Sequence, residues 1–237
     1  MDGQTYWGTI GFQKEFEDPF PLEKLKTLFP KDALVVEYGC GYARLLKQMQ
    51  QVGFTNLLGF DYSSKMVERG KALYPSLDLR HIPNSGHIPL SDEKADLLIA
   101  STILCCLTGK EELSSLFHEF HRVLKNGGTL YLFDFLLSNH PSSLKKYEQG
   151  FNDHGEWGVY TTTEGLTVPH FQTGAIMNLN SGFISLILRD FSLSSQPFYL
   201  EKDRLALPIG KNTENLRELS LLRLSKINPE SRFSNAG

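Results

Sequence analysis

Between Leu34 and Arg44 the chain reads L-V-V-E-Y-G-C-G-Y-A-R: a short apolar run, an acid at Glu37, then two glycines bracketing Cys40 where a helix has to begin. β-Branched Val35 and Val36 beside Leu34 suit a buried strand. Gly39 and Gly41 let the backbone turn sharply and approach a ligand without side-chain obstruction. The strand-helix alternation that continues from this stretch argues for one α/β domain.

A pyrophosphate seated hard against a helix start asks for a third glycine three places after the second, and that place holds Arg44. A ligand carrying an ammonium and a carboxylate asks instead for an acid near the turn and an open backbone, which Glu37, Gly39 and Gly41 offer. Twenty residues after Gly41, Asp61 closes N-L-L-G-F-D, where a second strand would end beside the first. An acid there can take both hydroxyls of a ribose. The following Y-S-S-K-M-V-E-R-G-K-A-L reads as a helix with Ser63 as its N-cap.

On these residues the sequence resembles the class I S-adenosylmethionine-dependent methyltransferases. E-Y-G-C-G-Y-A is similar to the family's first motif (acid, any residue, Gly, any residue, Gly), Asp61 matches its ribose-binding acid, and the likeness runs to about Phe135. The resemblance implies a Rossmann-like α/β fold, with a mostly parallel seven-stranded sheet, an antiparallel final strand and helices on both faces. It implies S-adenosylmethionine as cofactor, held by Glu37, Gly39, Cys40 and Gly41 at the turn and by Asp61 at the ribose. Asn84, where the family more often has Asp, would meet adenine together with the Ser85 N–H. Ser101, closing a fourth strand from Leu97, would meet the methionine ammonium. Arg44 would hold the methionine carboxylate or cover the first turn of its helix, and Tyr62 would lie along the adenine or pack in the core.

T-G-K-E reads as a capping box of Thr108 with Glu111, and Leu113, Leu116, Phe117, Phe120, Val123 and Leu124 recur at helical spacing. Asn126-Gly127-Gly128 is expected to stop that helix before a fifth strand, T-L-Y-L-F-D-F. Beyond Phe135 the pattern loosens into loops with a short helix near Leu144 to Gln149. A strong strand follows from Phe183, and L-R-E-L-S-L-L-R-L-S-K resembles the family's final antiparallel strand. The expected organisation is an N-terminal segment, 1–30, over the cofactor; a methyltransferase domain, 31–227, with acceptor-side loops at 137–180 and an insertion at 197–214; and a tail, 228–237.

No catalytic residue can be named from the sequence. Tyr6 and Trp7 would face the cofactor or seal the surface, and His170 in V-P-H-F would act as a base or start a helix. Trp157, Tyr160, Thr161 to Thr163 and Glu164 are pocket candidates by location. Cys40 reads as a small residue fitting a tight turn, while Cys105 and Cys106 are expected behind the fourth strand. His118 and His121 miss the zincin spacing by one position, so they read as a helix face and no metal site is expected.

With 41% apolar residues among 237, the chain can bury one substantial core. A net charge of −3 and a pI near 6.2 disfavour nucleic acid as a partner. Three cysteines form no disulfide framework. Neither a secretory start nor an apolar run of about 18 residues is present, so a cytoplasmic protein without a membrane partner is expected. The expected activity is in-line methyl transfer to a small molecule. The alternatives are an RNA or protein acceptor, an NAD-dependent oxidoreductase, or a non-catalytic cofactor-binding protein on the same fold. Oligomeric state is not legible in the sequence.

Overall fold

A computed structural model describes residues 1–172, other than 2, 19, 84, 85 and 108, and two short strands at 200–201 and 204–205. At its centre are five parallel strands: β1 (Val35–Tyr38), β2 (Leu57–Asp61), β3 (Asp78–His81), β4 (Ala95–Ser101) and β5 (Leu124–Phe133). They lie in the order β3-β2-β1-β4-β5. The order reverses direction at β1, so the crevice beyond the carboxyl ends of β1 and β4 is where such a sheet receives a ligand.

Successive residues of a strand face opposite sides of the sheet, and the two cores divide on that rule. Val36, Leu58, Phe60, Leu98, Ala100, Leu130 and Leu132 face one layer, closed by helix α5 (Lys110–Val123) through Leu113, Leu116, Phe117 and Phe120. Val35, Leu57, Leu97, Ile99 and Tyr131 face the other, closed by α2 (Leu22–Leu28) through Leu25 and by α3 (Arg44–Gln51) through Leu45, Leu46 and Met49. Helix α4 (Ser64–Leu73) begins as expected at Ser63, whose side chain accepts the Met66 N–H. The short, mostly exposed edge strand β3 has no counterpart in the sequence reading; its D-L-R-H carries one buried side chain, Leu79.

Three expectations are corrected. Helix α5 ends at Val123, and Leu124 already pairs with Ala95 in β5. The glycines therefore do not stop the helix: Gly127, at φ +76°, sits where the β4–β5 register shifts between Leu124 and Thr129. The short helix is longer than its apolar pattern showed. It is α6 (Pro141–His154), opened by proline at its first turn and closed by Gly155 at φ +71°. V-P-H-F closes a strand: Thr167–Pro169 is strand β7, antiparallel to β6 (Val159–Thr161), and no helix has begun by residue 172, the helix expected after it lying outside the described residues.

Thr108 of the expected capping box, the strand from Phe183, the final antiparallel strand and the tail 228–237 lie outside the described residues, as do 173–180 and most of 197–214. No helix among the described residues is long and apolar enough to cross a membrane.

Candidate functional site

The carboxyl ends of β1, β2 and β4 open into a crevice that encloses about 890 Å³, its mouth included. Glu37, Gly39, Cys40, Gly41, Arg44, Asp61, Tyr62 and Ser101 all line it. Asn84 and Ser85 lie outside the described residues, two and three positions beyond Ile82, which does line it.

The turn after β1 needs its glycines for different reasons. Gly39 stands at φ +72°, and a Cβ on it would lie 2.2 Å from Ile103 Cγ2. Gly41 stands at φ +53° with space around it, the nearest atom being Met66 Sδ at 3.9 Å. Two non-glycine residues share the left-handed region beside the crevice floor: Ala43 at φ 65° ahead of α3, and Thr102 at φ 54° after β4. Thr102 is held there by its N–H on Phe133 O (2.7 Å) and its hydroxyl on Ser101 O (2.8 Å).

Glu37 points to the α3 side of the sheet, where Ala43 provides no side-chain cap. The Leu46 N–H bonds to the Glu37 carboxylate instead, so the acid of β1 serves the helix that follows it. Glu37 is buried, and its Oε2 has no hydrogen-bond partner among the described residues. Burial pushes its pKa up to about 8, against the Leu46 N–H and the Arg44 charge, while Asp61 adds to the rise.

Asp61 accepts the Gly41 N–H on Oδ2 (2.8 Å) and the Ser63 N–H on Oδ1 (2.7 Å). A carboxylate offers about four lone-pair sites, so a pair of hydroxyl donors can still be received. Burial raises Asp61 to about 6, opposed by those two amides.

The first twenty residues supply one wall. Trp7, on helix α1 (Gly3–Thr9), and Phe16 both line the crevice, and Phe16 stacks on Tyr42 with centroids 6.0 Å apart. The Trp7 carbonyl accepts the Ser63 hydroxyl (3.0 Å), and the Trp7 indole N–H meets Cys106 Sγ (3.3 Å). Arg44 lines the crevice and donates from Nη1 to the Asp18 carbonyl (2.9 Å), tying α3 to this wall. Tyr6 is buried against Leu166 and Val168 and does not line the crevice.

Cys106 corrects the expectation of burial behind β4: it lines the crevice, whereas Cys105 is buried with its N–H on Asp134. Hydrogen bonding between the two thiols lowers Cys106 and raises Cys105. Asp134, just past β5, accepts the N–H groups of Leu104 (2.6 Å), Cys105 (3.2 Å) and Phe135 (2.9 Å), and so holds the turn that carries Ile103, Cys106 and Leu107 into the crevice. An acid closing an apolar strand is the same signal that marked Asp61, and it was there to be read in F-D-F.

His170 is likewise corrected. Its ring nitrogens meet the hydroxyls of Tyr147 (2.7 Å) and Tyr160 (3.2 Å), Phe135 stacks on it, and it is not among the crevice residues. Burial, with Lys146 adding, lowers it to about 4. Of the location candidates, Trp157, Tyr160, Thr161 and Glu164 all belong to the β6–β7 region outside the crevice lining. Among the described residues, no group of three or more His, Cys, Asp and Glu side chains could hold a metal ion.

Residues 36–132 match the family model described as a methyltransferase domain. A demethylmenaquinone methyltransferase from Chlorobaculum parvum is 24% identical over 117 residues, covering 49% of this chain and 47% of that protein; the chain thus spans about half the length of this curated relative. Among solved structures, an S-adenosylmethionine-dependent methyltransferase from Methanosarcina mazei has the same fold at a TM-score of 0.65. It is 20% identical, over 71% of this chain and 87% of that one. A geranyl diphosphate C-methyltransferase from Streptomyces coelicolor, solved with Mg2+, geranyl diphosphate and S-adenosyl-L-homocysteine, aligns at 0.52 with 14% identity, over 69% of this chain and 59% of that one. The strand order, the glycine turn with its two acids and the methyltransferase-domain match over 36–132 agree: the chain has the fold of, and is similar to, the class I S-adenosylmethionine-dependent methyltransferases.

Proposed function

We propose that this chain is an S-adenosylmethionine-dependent methyltransferase acting on a small molecule. The observation that carries the reading is the pair of buried carboxylates at the crevice: Glu37 with an unpartnered oxygen, Asp61 with lone pairs to spare. A buried polar atom left without a partner calls for a ligand group, and a carboxylate oxygen calls for a cation. Glu37 would hold the ammonium end, Asp61 the ribose hydroxyls, and the bare backbone of Gly39 to Gly41 would admit the chain between them. Asn84 and Ser85 are proposed for adenine, Tyr62 for its face, Ser101 for the ammonium and Arg44 for the carboxylate.

When bound, S-adenosylmethionine supplies a sulfonium-activated methyl group. The chain's contribution is then largely alignment and exclusion of water, for which Ile103 and Leu107 supply apolar surface. A base is required only for an acceptor that must lose a proton.

A small acceptor is supported by the charge of the crevice lining. That lining carries three acids, Asp18, Glu37 and Asp61, against one guanidinium, Arg44. That balance opposes a phosphate backbone, and it counts equally against the pyrophosphate of NAD.

Calorimetric titration with S-adenosylmethionine and with NAD separates the readings: heat with the first alone is expected, and heat with NAD alone overturns the proposal. Labelled methyl transfer into a metabolite extract, abolished by Asp61→Ala, is expected of the enzyme. Binding without labelled product across broad extracts would instead identify a cofactor-binding protein, and label in RNA or protein alone would overturn the small-molecule assignment.

A further inference from the structure

The aromatic wall of the crevice is anchored at a point that does not touch the crevice. Glu164 sits in the turn of the β6–β7 hairpin, and its Oε2 accepts the Tyr6 hydroxyl and pairs with Lys14 Nζ at 2.6 Å. Tyr6 directly precedes Trp7 and stands edge-on to its ring, centroids 5.0 Å apart; Lys14 lies two residues before Phe16. One carboxylate therefore grips the N-terminal segment on both sides of its bend, next to the two aromatic residues that this segment places in the crevice wall.

An exposed ion pair alone contributes little, and Glu164 is exposed enough for its contact with Lys14 to fall in that class. The contact with Tyr6 differs. Tyr6 is 1% exposed, packed against Leu166 and Val168 from the same hairpin, and its hydroxyl is directed to Glu164. Removing the carboxylate leaves the Tyr6 hydroxyl facing Lys14, which itself loses its counter-charge, so both holds on the segment loosen together. On the crevice side the segment is also tied by the Ser63–Trp7 and Trp7–Cys106 contacts and by Phe16, which stacks on Tyr42 and donates its N–H to the Tyr42 hydroxyl (3.2 Å), with Arg44 and Arg69 holding carbonyls at Asp18 and at Phe12 and Lys14 and Arg69 pairing with Glu15. Among the described residues no other carboxylate is bonded to Tyr6 or Lys14.

We propose that Glu164 is a positioning residue: through Tyr6 and Lys14 it seats Trp7 and Phe16 against the crevice and so sets how tightly ligands are held there. The assignment rests on the reading of the crevice as the S-adenosylmethionine site. It predicts an effect on binding and none on the transfer step, because Glu164 touches neither the crevice nor anything in it.

The test uses the full chain with Trp157→Phe, which leaves Trp7 as its one tryptophan; Trp157 does not line the crevice. In the ligand-free protein, Glu164→Ala is expected to shift Trp7 emission to the red and raise its quenching by acrylamide. Glu164→Gln, which keeps an acceptor for the Tyr6 hydroxyl, is expected to restore most of both. The dissociation constant for S-adenosylmethionine should rise about tenfold in Glu164→Ala, the equivalent of one charge-assisted hydrogen bond, while turnover at saturating cofactor stays within about twofold. Unchanged Trp7 emission overturns the proposal, as does a fall in turnover with unchanged affinity. Should Glu164→Ala fail to fold, Tyr6→Phe takes its place, with the same red shift expected and its absence decisive against the seating. If the unmutated chain binds no S-adenosylmethionine, the functional reading fails by itself, and the emission of Trp7 still decides whether Glu164 seats the segment.

Discussion

The Gly41 N–H donates to Asp61 Oδ2 at 2.8 Å, across twenty residues of sequence and one strand-helix-strand crossover. The acid assigned to the ligand is also the one that fixes the turn over which the ligand lies. Loss of Asp61 therefore acts twice.

Asp61→Ala is expected to lower stability by about 2–3 kcal/mol, because two buried N–H groups lose a charged acceptor, and to abolish S-adenosylmethionine binding. Asp61→Asn retains one acceptor oxygen, so it should recover much of the stability and little of the binding. Thermal unfolding and calorimetry on the two variants check this; equal affinity in Asp61→Asn and the unmutated chain would remove Asp61 from the ligand contacts.

Glu37 makes the ligand-free protein pH-sensitive. Burial takes its pKa from 4.5 up to about 8, so the folded chain holds a proton that the unfolded chain releases. Its contribution is greatest below pH 4.5 and is lost as the pH climbs toward 8. A cationic ligand favours the ionised form, so binding should expel that proton and strengthen as the pH rises from 6 to 8. Glu37→Gln should flatten both trends, and proton release measured calorimetrically in buffers of different ionisation heat is the check.

The two glycines of the turn should separate stability from binding. Gly39→Ala meets both positive φ and a 2.2 Å contact with Ile103, and is expected to cost at least about 3 kcal/mol. Adding Ile103→Ala should return the steric part. Gly41→Ala has room, so only the strain of about 1–2 kcal/mol applies, yet its new methyl narrows the approach to the backbone. Denaturant melts beside cofactor titrations should show Gly39→Ala losing mainly stability and Gly41→Ala mainly affinity.

Asp134→Ala should release three N–H groups at once and cost about 2–3 kcal/mol. Because these amides hold the turn carrying Ile103, Cys106 and Leu107, cofactor affinity should fall as well, and Cys106 should react faster with a thiol reagent. An unchanged Cys106 rate would show that the turn keeps its shape without Asp134.

The sheet was legible where a short apolar run marks a strand buried on both faces: β1, β2, β4 and most of β5 follow directly from such runs. β3 was not, because an exposed edge strand with one inward side chain leaves no periodic trace. The acids of the site could be read since a carboxylate ending a buried strand has no packing explanation. Phe16, Asp18 and Cys106 could not, because their place in the crevice depends on how the N-terminal segment and the 102–107 turn fold back, which is tertiary information; for Trp7 the sequence left facing the cofactor and sealing the surface both open. His170 shows the converse: a histidine that looked available is used by two tyrosines.

Ala43 and Thr102 hold left-handed backbone without glycine's freedom to do so, one beside each of the two central strands. Such conformations endure only where the surroundings leave no alternative, so the base of the binding site is stiff before any guest arrives. A misfitting guest is then turned away by the base rather than accommodated by it, and whatever yielding recognition demands must come from the aromatic side that the chain's opening residues provide.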